Sequence, residues 1–104
     1  MPFYNNEFEN PKGTPLVYDE YRQFQIDSVF KKGQWVFRFP NNYGASVIKH
    51  FGSYGYNEDL FELAVIFFDG DNWDLTYNTP IASDVIGRLT NDDVLKLLEE
   101  IKSL

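Results

Sequence analysis

Apolar and polar residues alternate with a period of two in two stretches of the chain, and near the C-terminus they fall into a helical stripe. The first alternating stretch predicts a β-hairpin. A two-residue turn at Lys32–Gly33 pairs Phe30 with Trp35, Val29 with Val36, Asp27 with Arg38 and Ile26 with Phe39. That register puts Ile26, Phe30, Trp35, Phe37 and Phe39 on one face and an opposite-charge pair on the other, so pattern, turn glycine and charge agree. Pro40, Asn41 and Asn42 then break the strand, and residues 45–51 predict a third one, with weaker alternation.

The second alternating stretch predicts a hairpin between residues 60–68 and 73–78, turning on Asp-Gly-Asp-Asn at 69–72. Its register sets Phe68 against Trp73, Ile66 against Leu75 and Ala64 against Tyr77. The first of these strands is also apolar on its other face, through Phe61, Leu63, Val65 and Phe67. A strand apolar on both faces is central and needs a cover on each side. The C-terminal segment supplies one. Thr90 reads as an N-cap with Asp93 three residues on and Leu89 placed to staple against Val94. Val94, Leu97, Leu98 and Ile101 share one stripe, with Asp92, Lys96 and Glu99 on the wet side. The link at 79–87 reads as a turn-rich connection, and residues 1–20, with Pro2, Pro11, Pro15 and Gly13, as an extended arm or edge segment. The expected architecture is therefore α+β. A single domain over residues 21–104 carries a mostly antiparallel sheet of four to six strands with the C-terminal helix on one face. The expected core is Ile26, Phe30, Trp35, Phe37, Phe39, Val47, Leu63, Val65, Ile66, Phe67, Leu75, Val94, Leu98 and Ile101.

Composition narrows the chemistry. At 104 residues, 43% hydrophobic and 18% aromatic, the chain can bury one core and is no disordered tail. It has no cysteine, which removes disulfide scaffolds, cysteine-ligated metals and thiol nucleophiles. No apolar run is long enough to cross a membrane, and the first ten residues lack the basic and apolar regions of a signal peptide. The net charge of −7 is unevenly spread. Residues 21–50 are net positive, through Arg22, Lys31, Lys32, Arg38 and Lys49 against Asp27, whereas residues 51–104 hold eleven acids and three bases. An overall negative field opposes non-specific nucleic-acid binding.

Few residues suggest reaction chemistry. The Asp69–Asp74 run lacks the later ligands of a calcium loop, with Pro80 where the twelfth-position glutamate would stand, and a hairpin turn explains it. His50 is the sole histidine, without a serine or carboxylate at catalytic spacing, and Glu62 is an acid in mid-strand. No nucleotide-binding, hydrolase or zinc-protease motif occurs. The expectation is a non-enzyme without cofactor or metal. Tyr43, Tyr54 and Tyr56 lie among Asn, Ser and Gly, the composition of adaptable contact surfaces. With the helix acids Asp92, Glu99 and Glu100 they form the candidate partner-binding set. Lys31, Lys32, Arg38 and Lys49 form an alternative nucleic-acid-binding set.

The combination of YGASVIKH (43–50), YGYNEDLFELAVI (54–66) and TPIASDVIGRLTNDDVLKLLEEI (79–101) resembles a family of small proteins encoded by tailed phages and prophages. The resemblance covers about 60 residues, from Tyr43 to Ile101, and carries no assigned activity or binding residues. It implies expression in the cytoplasm of a bacterial host and, by analogy, an accessory role in binding a host or phage protein. A virion or assembly component is a further reading, and self-association stays open.

Overall fold

The computed structural model describes residues 15–26, 33–49, 56–82 and 84–104. They form a six-stranded antiparallel sheet with one C-terminal helix on it, an α+β fold. The strands are β1 (Gln25–Ile26), β2 (Gln34–Arg38), β3 (Tyr43–Ile48), β4 (Phe61–Asp69), β5 (Asn72–Leu75) and β6 (Ile86–Leu89), and the helix is α1 (Asn91–Lys102). They run in the order β1-β2-β3-β4-β5, and β6 joins the same edge of β4 nearer its start.

Local chemistry accounts for the turns. Between β2 and β3, Asn42 N–H donates to the Phe39 carbonyl and Phe39 N–H to the Tyr43 carbonyl, with Asn42 at φ 70°. This is a three-residue loop with Pro40 pre-set for the turn and an asparagine tolerating the left-handed position. Between β4 and β5, Asp69 faces Asn72 and Gly70 takes φ 64°, the positive value that the first centre of a tight hairpin demands. Phe68–Trp73 and Ile66–Leu75 pair as expected from the alternation, whereas β5 ends before Tyr77. Gly44 is held by close approach: a Cβ there would overlap the Phe37 carbonyl oxygen and touch the Phe68 ring.

Helix α1 has the expected start. Thr90 Oγ1 accepts from Asp93 N–H at 3.1 Å and Asp93 Oδ2 from Thr90 N–H at 3.0 Å, a complete capping box. Val94, Leu98 and Ile101 are buried against Phe37, Phe39, Ala45, Val47, Leu63 and Val65, each such side chain contributing about 1.5–3 kcal/mol. Residues 15–24 lie against the same layer. Leu16, Tyr18 and Tyr21 are buried, and a 3-10 helix spans Asp19–Phe24. The Asn91 amide pairs both ways with the backbone of Val17, at 2.7 and 2.9 Å.

The opposite face carries a smaller cluster of Val36, Ile66 and Phe68, with Ile26 and Trp73 beside it. It also buries a polar pair, Gln34 Nε2 donating to Ser46 Oγ at 3.1 Å. Both faces of β4 are therefore apolar, and buried as far as Ile66 and Phe68, with Phe67 the exception.

Three expectations are corrected. In the β1–β2 register Ile26 faces Val36, not Phe39. This three-residue shift moves Ile26 to the smaller cluster. The edges of Tyr21 and Phe24 meet Phe39 instead, at 6.4 and 5.1 Å between centroids, so aromatic packing overrides the local turn pattern. Asp27, Phe30 and the Lys32 turn position lie outside the described residues. Second, the link at 79–87 runs into β6, which pairs with β4 across a bulge where Arg88 takes φ 56°. Third, Phe67 and Leu75 are exposed, at 42% and 47%, where core positions were expected.

Candidate contact surface

Phe67 and Leu75 line one groove. Across the sheet Tyr43 faces Phe67 and Phe67 faces Asp74. Tyr43 stands edge-on to Phe67, 5.0 Å between centroids. This row runs along one side of an open groove of about 460 Å³, lined also by Asp69, Asn72, Trp73, Leu75, Thr76 and Asn78. Just past the strand, Tyr77 is 41% exposed. The C-terminal end of α1 runs to the β2–β3 loop, where Asn41 meets the Ile101 and Lys102 carbonyls, and leaves Phe67 at the hairpin end of β4 exposed.

The groove sets Tyr43, Phe67, Trp73 and Leu75 beside polar and acidic side chains. Asp69, Asp71 and Asp74 are exposed. Arg38 reaches toward Asp71 at 3.7 Å and lies 4.6 Å above the Phe68 ring on the other face. With Asp71 in open solvent, that pair contributes little.

The sequence-selected residues are not brought to one place. Of the tyrosines, Tyr43 lies in strand β3 and joins the groove, Tyr56 opens a second 3-10 turn (Tyr56–Glu58), and Tyr54 falls outside the described residues. The helix acids Asp92, Glu99 and Glu100 are all exposed, and Glu99 Oε1 in addition accepts from Tyr21 O–H at 2.9 Å and lies 3.8 Å from Lys102 Nζ. Burial and then the Glu99 hydrogen bond push the Tyr21 phenol up to about 12. Asp93 is held below the ordinary carboxylate range by the Thr90 N–H and hydroxyl.

Lys49 needs correction as a surface cation. It is 1% exposed, its ammonium paired with Asp59 and 4.2 Å above the Phe61 ring, which in turn meets Trp35 edge-on at 5.8 Å. The ion closes the end of the core onto the turn before β4 and is out of reach of a phosphate. Arg38 is already engaged, and Lys31, Lys32 and His50 lie outside the described residues. Glu62 faces Ile48 across the β3–β4 ladder. Among the described residues no three His, Cys, Asp or Glu side chains are grouped to hold a metal ion, and no helix is long and apolar enough to cross a membrane. No family model, curated protein or solved structure matches the chain.

Proposed function

We propose that this chain is a non-enzymatic protein-binding accessory of phage or prophage origin, acting in the cytoplasm of a bacterial host, with the groove beside β5 as its contact surface. One observation carries the reading. Phe67, Leu75 and Tyr77 are large apolar residues left exposed within one hairpin and the residues just after it, beside a concavity lined also by Asp69 and Asp74. Aromatic side chains around a groove are what interface hot spots are made of. The nucleic-acid reading has less to stand on, since Lys49 is buried and Arg38 is engaged with Asp71 and Phe68.

The test is capture of partners by the tagged chain from infected host lysate, with and without nuclease, beside a Phe67→Ser variant. The expected result is a stoichiometric protein that survives nuclease and is lost with Phe67→Ser, the variant keeping its melting temperature within a few degrees. Capture that disappears with nuclease supports nucleic acid instead. Finding the chain in purified particles by mass spectrometry supports an assembly role.

A further inference from the structure

Strand β5 ends the sheet on the groove side, and its backbone is half used. Thr76 N–H donates to the Val65 carbonyl at 2.9 Å, which makes Val65–Thr76 a hydrogen-bonded pair of the antiparallel ladder. Such pairs alternate, so Phe67–Asp74 and Asp69–Asn72 are bonded as well, and the amides and carbonyls of Trp73 and Leu75 point away from β4. Among the described residues no strand pairs with that side. Natural edges are blunted by bulges, twist, charge or proline. Further along the same edge of β4, β6 has such devices: a bulge, Arg88 at φ 56°, and the Arg88 charge itself. Strand β5 has neither bulge nor proline, and its only charge is Asp74.

That charge selects the occupant. A second copy adding antiparallel through both outward residues would set Trp73 against Leu75 of the copy, and the two Asp74 side chains directly opposite each other. The central pair of that register is a non-hydrogen-bonded one, where side chains are closest, and like charges there are destabilising. A lysine or arginine opposite Asp74 reverses the sign. Residues flanking it would lie over Trp73 and Leu75, both apolar, on the other face. The sheet rows place Asp74 with Phe67 and Tyr43, so the basic side chain would enter the groove along these aromatic rings.

Resting on the protein-binding reading, we propose that β5 takes up an extended segment of another protein as an added antiparallel strand, apolar–basic–apolar in sequence, with the basic residue opposite Asp74. Backbone bonds would supply the affinity and alternate side chains the specificity.

The test is fluorescence anisotropy at low salt, with the full chain and short peptides centred on Val-Arg-Val, on Val-Glu-Val, and on Val-Arg-Val with both valine nitrogens methylated. The Val-Arg-Val peptide is expected to bind and its methylated form to fail. Asp74→Arg, at an exposed position, should weaken Val-Arg-Val at least about tenfold and gain Val-Glu-Val. Equal affinity of wild type and Asp74→Arg for Val-Arg-Val, or unimpaired binding of the methylated peptide, would overturn the proposal. So would a wild-type dimer that Leu75→Pro dissolves while the chain stays folded, because that variant removes only an outward N–H of β5 and would assign the edge to a second copy. If no peptide binds while lysate capture still depends on Phe67, strand addition fails and the binding module stands.

Discussion

Tyr21 joins the 3-10 helix to α1 through its hydrogen bond to Glu99, with the Lys102 ammonium over its ring, and its titration gives a handle on that contact. The unfolded phenol titrates near 10, whereas burial and Glu99 raise the folded value to about 12. The folded state keeps a proton that the unfolded chain loses. The contribution is therefore complete below about pH 10 and fades as the pH rises toward 12. Tyr21→Phe should cost about 0.5–1.5 kcal/mol near neutrality and flatten the alkaline decline in stability, read by urea unfolding from pH 7 to 12. An unchanged slope between pH 10 and 12 would remove Tyr21 as its source. Such a contact joins residues 78 apart, and nothing local announces it. Lys49 was illegible for the same reason. The sequence shows a cation at the end of an apolar strand, and only the fold brings Asp59 and the Phe61 ring to it. Phe67 was misread because nothing in the sequence says how far across β4 the helix reaches, and Leu75 because it sits in the edge strand, on the other face from Phe67.

Polar side chains hold helix α1 at both ends. Thr90 closes the capping box. At the other end Asn41 Nδ2 approaches the carbonyls of Ile101, Lys102 and Leu104 at 3.0, 3.2 and 3.1 Å, while Asn41 Oδ1 accepts from Tyr43 N–H at 3.0 Å. The β2–β3 loop thus satisfies carbonyls that a helix end leaves unpaired. Thr90→Ala should cost about 1 kcal/mol and Asn41→Ala about 1–2 kcal/mol. The two sites share no partner, so the double variant should show the sum within about 0.5 kcal/mol. Chemical denaturation with unchanged m-values measures all three. A double variant far from the sum would mean that the loop and the cap act as one unit. The start of α1, the double-faced β4 and the β4–β5 register were legible because capping chemistry and alternation are local. Strand β6 was not: Ile86–Leu89 is short, holds Gly87 and bulges at Arg88, so no alternation survives in the sequence. The β1–β2 register misled because a turn glycine and an Asp–Arg pair are weak beside packing of Tyr21 and Phe24 on Phe39.

For the whole molecule, salt should act with opposite signs on folding and on partner binding. The chain carries sixteen acids and nine bases, so charge–charge repulsion outweighs attraction in the folded state. Among the described residues the ion pairs Arg22–Asp19, Arg38–Asp71, Arg88–Glu58 and Lys102–Glu99 lie at the surface and are weak. The buried ammonium of Lys49 is screened least. Raising sodium chloride from about 20 to about 200 mM shortens the screening length from roughly 20 to 7 Å, and that relieves more repulsion than it removes attraction. Chloride is the right anion, since sulfate would strengthen apolar burial on its own. The melting temperature should rise by a few degrees, as about 1 kcal/mol moves a domain of this size by roughly 4–8 °C. The hairpin acids work in the other direction: Asp69, Asp71 and Asp74 attract a basic segment through solvent, so the Val-Arg-Val peptide should bind more weakly over the same interval. Thermal melts and anisotropy on one salt series check both signs at once. A melting temperature that falls with salt would mean that the surface pairs outweigh the repulsion. Peptide binding indifferent to salt would leave backbone and apolar contacts as its only source.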